Sequence, residues 1–209
     1  MKGKLLVIEG PDGAGKSTLV RGLAGEIESR GIGIKTLREP GGTALSEQIR
    51  MLLKGLTAPD TAIDERAETL LFAAARAQLC RELIEPCLKR GEWVLLDRFE
   101  GSTIVYQGIA RGLGKDDVRA VSRFSRGGLD PDRVLVLLVS PETSRKRLSD
   151  RDGDSPDRME QATLGHLDEI IAGYRSLTEE DPATYRAVSG EGSPEEVLNR
   201  AIAATADLF

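Results

Sequence analysis

The sequence predicts an α/β fold of P-loop NTPase type: three layers, with a five-stranded parallel sheet between helices on both faces, and a short lid. Short apolar runs alternate with longer segments of helical period, the pattern of a parallel sheet covered on both sides. Val94-Leu95-Leu96 and Val134-Leu135-Val136-Leu137-Leu138-Val139 lack polar alternation, which places both runs in the middle of that sheet. Gly10-Pro11-Asp12-Gly13-Ala14-Gly15-Lys16-Ser17 satisfies G-x-x-x-x-G-K-[ST] directly after an apolar run and before a helical segment.

The first strand, Lys4–Glu9, is cut by Glu9 and the glycine-rich loop, far too early for a signal peptide. Further strands are expected at Gly33–Arg38, Trp93–Leu96, Arg133–Val139 and Thr184–Val188. Helices are expected at Lys16–Arg30, Leu45–Lys54, Asp64–Arg90, Lys115–Phe124, Pro141–Ser149, Arg158–Thr178 and Pro194–Ala206. Pro86 predicts a kink or an early end in the third helix, because proline cannot donate the helical hydrogen bond. Asp150 to Asp157 contains no hydrophobic side chain to pack, so it reads as an exposed, movable loop, and the lid is placed at about 149–158.

At 209 residues the chain fits one domain, 1–209, and its 40% hydrophobic and 30% charged residues are ordinary for a globular protein. With 29 Lys+Arg against 34 Asp+Glu the formal charge is −5, so no nucleic-acid or membrane partner is expected, and any bound anion must meet local positive charge. No apolar stretch approaches the roughly 20 residues of a membrane span. Cys80 and Cys87, seven apart in a helical stretch, read as buried free thiols, which suits a reducing cytoplasm.

In the glycine-rich loop, backbone N–H groups converge on phosphate oxygens at the positive end of a helix dipole, and Lys16 neutralises the outer phosphates. The Ser17 hydroxyl is placed to hold Mg²⁺. Gly10, Pro11, Asp12, Gly13, Ala14, Gly15, Lys16, Ser17 and Thr18 are therefore candidate ATP contacts. A guanine-reading Asn-Lys-x-Asp motif is missing: the one asparagine, Asn199, precedes Arg200. A kinase and an ATP-binding switch remain as readings of the loop alone.

Five stretches carry a resemblance to the thymidylate kinase family over essentially the whole chain. They are Glu9–Thr18, Arg38-Glu-Pro-Gly-Gly-Thr43, Leu71-Phe-Ala-Ala-Ala-Arg-Ala-Gln78, Asp97-Arg-Phe-Glu-Gly-Ser-Thr-Ile-Val-Tyr-Gln-Gly108 and Asp157-Arg-Met-Glu160. The resemblance implies dTMP + ATP → dTDP + ADP with Mg²⁺, on the route to dTTP, in a homodimer. Family members place an assisting arginine either in the P-loop or in the lid. With Gly13 in the loop and Arg151 in the polar stretch, this chain is similar to the lid type.

Bringing a doubly charged monophosphate to about 5 Å from the end of Mg·ATP would cost about 13 kcal/mol at an effective dielectric near 20, so arginines must converge. By resemblance Arg98 grips the acceptor phosphate and bridges to the transferred group, Arg50 meets the monophosphate, Arg151 assists transfer and Arg147 lies against adenine. Asp12 meets the acceptor 3′-hydroxyl near Mg²⁺. Asp97 acts on Mg²⁺ directly or through water, or else caps a helix.

Phe72 and Arg76, at i and i+4, share one helical face. The resemblance has Phe72 stack on thymine and Arg76 bond a base carbonyl, whereas the residues alone read Phe72 as core. Glu39 and Pro40 are expected to shape the acceptor pocket, or Glu39 to serve as a local cap; Ser102, Tyr106 and Gln107, at helical spacing after Arg98, are expected to read the pyrimidine and exclude a ribose 2′-hydroxyl, or else to hydrogen-bond within the fold. One departure stands out: Leu137-Leu138-Val139 replaces a Leu-Asp-Val setting found in many relatives.

Overall fold

The computed structural model describes residues 3–57, 62–150, 158–159 and 164–209. Strands β1 (Leu5–Glu9), β2 (Ile34–Arg38), β3 (Trp93–Asp97), β4 (Arg133–Leu138) and β5 (Tyr185–Ser189) form one sheet in the order β2-β3-β1-β4-β5. All pairings are parallel. Leu5 pairs with Val94 and Ile8 with Asp97 on one side of β1, while Leu6 pairs with Arg133 and Glu9 with Val136 on the other.

The apolar runs behave as their lack of alternation requires. Leu5, Val7, Val94, Leu96, Val134 and Val136 enter one core layer; Leu6, Ile8, Leu95, Leu135 and Leu137 enter the opposite one. The edge strands β2 and β5 are partly exposed. Helices α1 (Lys16–Ser29) and α9 (Pro194–Thr205) cover the second layer, the latter opened by a Ser193/Glu196 capping box.

The other face carries α3 (Glu65–Leu79), α4 (Glu85–Lys89), α6 (Lys115–Arg126) and α8 (Leu167–Glu180), with the short α5 (Glu100–Thr103) beside α6; α2 (Ala44–Leu53) packs on α3, and α7 (Pro141–Ser149) on the loop after β1. The expected helix Asp64–Arg90 is interrupted: Asp64 caps α3, a π-helical turn spans Cys80–Ile84, and α4 follows. Pro86 explains the turn, since its ring would crowd the carbonyl four residues back and a wider turn relieves the clash without breaking the helix. The helix expected at Arg158–Thr178 is represented by helical Arg158 and Met159, a 3₁₀ turn Leu164–His166 and α8.

The segment after β3 is helical, in line with the helical spacing of Ser102, Tyr106 and Gln107, although no helix was assigned there from sequence. Glu100–Thr103 is α-helical and continues as a π-helical turn, Ile104–Ala110. Its β-branched residues and glycines disfavour helix locally. The deeply buried Glu9 carboxylate overrides that preference by accepting the backbone N–H groups of Phe99 and Ser102, both at 2.9 Å. Cys80 and Cys87 are buried free thiols, and no helix among the described residues is long and apolar enough to cross a membrane.

Candidate active site

The carboxyl ends of β1 and β3 lie side by side, and the loops leaving them supply the candidate chemistry. Gly15, left-handed at φ 95°, precedes α1 with no side-chain cap, so the first N–H groups of that helix stay available to an anion. At Gly13 an added Cβ would lie 2.6 Å from the Ser144 carbonyl oxygen, because α7 packs directly on the loop.

Gly10, Pro11 and Ala14 act through their carbonyls. Lys16 Nζ donates to Gly10 O at 3.0 Å and Pro11 O at 2.8 Å; Arg147 Nη1 donates to Gly13 O at 3.4 Å and Ala14 O at 3.3 Å. Arg147 Nη2 also reaches Gly190 O at 3.0 Å, which ties α7 to the segment after β5 across the loop. Burial, with the nearby Arg98 charge, lowers the Lys16 pKa to about 8.

Ser17 Oγ donates to Asp97 Oδ2 at 3.2 Å. A hydroxyl and a carboxylate converging beside the phosphate cradle form the hard-oxygen set that fits Mg²⁺. Thr18 is exposed at the same opening. Leu138 packs half-buried against the core and offers no metal ligand at the end of β4.

Arg98 follows β3 at φ 69°, an uncommon backbone conformation for a side-chain-bearing residue. Its Nη2 meets Asp12 Oδ1 at 2.5 Å, and its Nη1 donates to Ser102 Oγ at 3.0 Å, Gly10 O at 3.3 Å and Tyr174 OH at 3.3 Å. Glu9 stands behind this fork, accepting from Ser102 Oγ at 2.6 Å and Tyr174 OH at 3.1 Å. Desolvation raises the Glu9 pKa. Burial opposes the Arg98 charge, yet Tyr106 and Asp12 help to hold its pKa well above the usual value.

On the acceptor side Glu39 and Arg76 form a buried pair, with Arg76 Nη2 2.9 Å from Glu39 Oε2. Arg76 also donates to Thr103 Oγ1 at 2.8 Å and Ser122 Oγ at 3.3 Å. Burial pushes the Glu39 carboxyl up to about 7 against the pull of Arg76. Glu39 Oε1 is buried with no hydrogen-bond partner among the described residues. Arg50 Nη1 donates to Pro40 O at 3.0 Å. Phe72 is half-buried: it packs with Leu71 and Met159 on Ile49, Leu53 and Ala75, as the core reading expects, and it also lines a cleft.

These residues surround two clefts. One is lined by all ten residues assigned to the acceptor: Asp12, Glu39, Pro40, Arg50, Phe72, Arg76, Arg98, Ser102, Tyr106 and Gln107. The other opens over the P-loop and includes Gly13, Gly15, Lys16, Ser17, Thr18, Asp97 and Arg147. Asp12, Glu39, Arg50 and Arg98 line both. Arg151 and most of the expected lid lie outside the described residues.

Sequence reasoning passed over Glu9, Glu68, Thr103, Arg111 and Tyr174. Glu9 had a signal, an acid ending a wholly apolar strand. Tyr174 had none, because its contacts bridge 165 residues to Glu9.

A phosphate cradle joined through shared arginine and carboxylate side chains to a second cleft defines a phosphotransferase of the nucleoside monophosphate kinase class. The comparisons with known proteins narrow this class. The family model described as Thymidylate kinase matches residues 8–201. A curated thymidylate kinase of Rhizorhabdus wittichii is 38% identical over 100% of both chains. One of Bacillus pumilus is 37% identical over 97% of this chain and 94% of its own, and one of Synechococcus sp. is 40% identical over 94% and 92%. The chain belongs to the thymidylate kinase family.

Proposed function

We propose that the protein transfers the γ-phosphoryl group of ATP to dTMP with Mg²⁺, giving dTDP and ADP. The observation that carries this reading is the sharing of Asp12, Glu39, Arg50 and Arg98 between the two clefts, since an in-line transfer needs both anions at one junction. An acceptor phosphate oxygen is already an anionic nucleophile at neutral pH, so no general base is required.

The P-loop and Lys16 hold the donor, with Arg147 beside adenine, and Ser17 with Asp97 would hold Mg²⁺. That ion supplies charge neutralisation on the donor phosphates. Arg98 and Arg50 take the acceptor phosphate, Asp12 its 3′-hydroxyl, and Phe72, Arg76, Ser102, Tyr106 and Gln107 the nucleoside. Glu39 and Pro40 shape that cleft, and Arg151 belongs to the lid, within a single domain.

An ADP-release assay across five deoxynucleoside monophosphates tests the acceptor. dTMP is expected to give the highest kcat/KM, with dUMP lower by about 10–200-fold for its missing methyl and the purine monophosphates near background. Purine acceptors as good as dTMP would refute the assignment. ADP formation indifferent to every monophosphate would favour an ATP-binding switch.

We also propose a cytoplasmic homodimer. Ala67, Leu70, Ala74 and Ala77 form an exposed stripe along α3, and Phe124 on the adjoining α6 is 90% exposed. Buried reduced thiols accord with the cytoplasm. Light scattering at micromolar concentration should give twice the 22.6 kDa chain mass, and the Leu70→Glu, Phe124→Glu double variant should fall to one chain mass. A monomeric parent protein would count against the dimer.

A further inference from the structure

Glu68, Phe72 and Arg76 lie at i, i+4 and i+8 of α3, so the helix face that presents the ring and the guanidinium also presents a carboxylate. Glu68 is 3% exposed and lines the acceptor cleft. Its Oε1 accepts from Gln107 Nε2 at 3.0 Å and lies 2.8 Å from Arg111 Nη1; Arg158 Nη2 lies 3.5 Å from Oε2. Arg158 also donates Nε to Leu53 O at 3.0 Å, at the end of α2. The carboxylate is thus held from several parts of the chain.

A carboxylate paired with guanidinium groups only accepts hydrogen bonds, so the NH₂ end of the Gln107 amide must be the end that faces it. The amide carbonyl is then the end available to a ligand. We infer that Glu68 is a positioning residue that fixes the polarity of the Gln107 amide and so makes the cleft select pyrimidines bearing N3–H. The inference rests on the reading that Gln107 meets the acceptor base.

Thymine and uracil carry a proton on N3 beside a carbonyl at C4; cytosine has a bare N3 acceptor beside a 4-amino donor. A carbonyl fixed toward the base accepts the N3 proton of thymine but sets lone pair against lone pair with cytosine. Turning the amide over would suit cytosine, but it would bring Gln107 Oε1 against Glu68 Oε1, two acceptors with no proton between them in a buried site. Glu68 blocks that escape without touching the base.

The test compares kcat/KM for dTMP and dCMP in Glu68→Gln, whose amide keeps the shape of the carboxylate but can donate as well as accept. The dTMP:dCMP ratio is expected to fall at least about 10-fold, through a loss with dTMP and a gain with dCMP, while KM for ATP is unchanged. Arg111→Met keeps the carboxylate as an acceptor and should retain the ratio.

Equal decline with both acceptors in Glu68→Gln, no change with either, or an equal collapse of the ratio in Arg111→Met would overturn the inference. If Glu68→Gln does not fold, Gln107→Leu carries the test. Without an amide the ratio must narrow by the same order, and a folded Gln107→Leu enzyme with the parent ratio overturns the inference. A parent enzyme with no preference for dTMP over dCMP would instead fail the acceptor assignment itself, and the role of Glu68 with it.

Discussion

Arg98→Met is expected to lower kcat by about 10³-fold, the lower end of what a transition-state arginine contributes, while leaving KM for ATP within about threefold. The asymmetry follows from the structure. The donor side keeps Lys16 and the P-loop carbonyls that orient it, whereas the junction loses a guanidinium that reaches Asp12, Ser102 and Tyr174 together.

Methionine fills much of the same space without charge, so packing is nearly preserved and the melting temperature separates a loss of chemistry from a loss of fold. Arg98→Lys should recover only part of the activity, because an ammonium cannot bond Asp12 and a phosphate as a planar fork does. Coupled ADP-release kinetics under saturating dTMP and ATP measure both variants. A folded Arg98→Met enzyme retaining a tenth of the parent kcat would remove Arg98 from the centre of the mechanism.

The left-handed backbone at Arg98 bears on the same question. A non-glycine residue at φ 69° costs on the order of 1–3 kcal/mol and persists only where its surroundings over-determine it. Here the Arg98 N–H bonds Ile8 O at 2.9 Å, and the side chain is locked by the network around Glu9. Strain, buried acid and arginine fork coincide at one strand end.

How far this was legible in sequence depended on whether the information was local. Strand positions followed from apolar runs, because a strand buried on both faces has no polar residue to spare, and the P-loop followed from a fixed spacing with a known chemical reason. The acceptor cleft was legible only through resemblance: nothing in the spacing of Glu39, Phe72 and Gln107 says that they meet.

The helix after β3 showed in sequence only as the helical spacing of Ser102, Tyr106 and Gln107, because Glu100–Gly108 has weak helix-forming character and is stabilised by Glu9, some 90 residues away. Glu68 was missed for a related reason. An acid on a helix is ordinarily a solvated charge, and only the fold reveals that Arg111, Arg158 and Gln107 close over it.

Lys16→Ala is expected to abolish turnover, by about 10³-fold or more, without lowering the melting temperature. Both halves come from one placement. Lys16 is 8% exposed, with its ammonium held by Gly10 O and Pro11 O at the base of the donor cleft, where it is preorganised to receive the outer phosphates. The same burial lowers its pKa from 10.5 to about 8.

A lysine that binds its proton less tightly in the folded chain than in the unfolded one opposes folding at pH 7, where it is charged in both states. Its contribution to stability improves as pH rises from about 8 toward 10.5, the window in which the unfolded chain still holds the proton and the folded chain has released it. The shift corresponds to an unfavourable contribution on the order of 3 kcal/mol near neutral pH, which alanine removes along with two hydrogen bonds. Calorimetry at pH 7 alongside the ADP-release assay checks the pair of results. A marked fall in melting temperature would recast Lys16 as a structural strut, and retained turnover would take the phosphate cradle out of the mechanism.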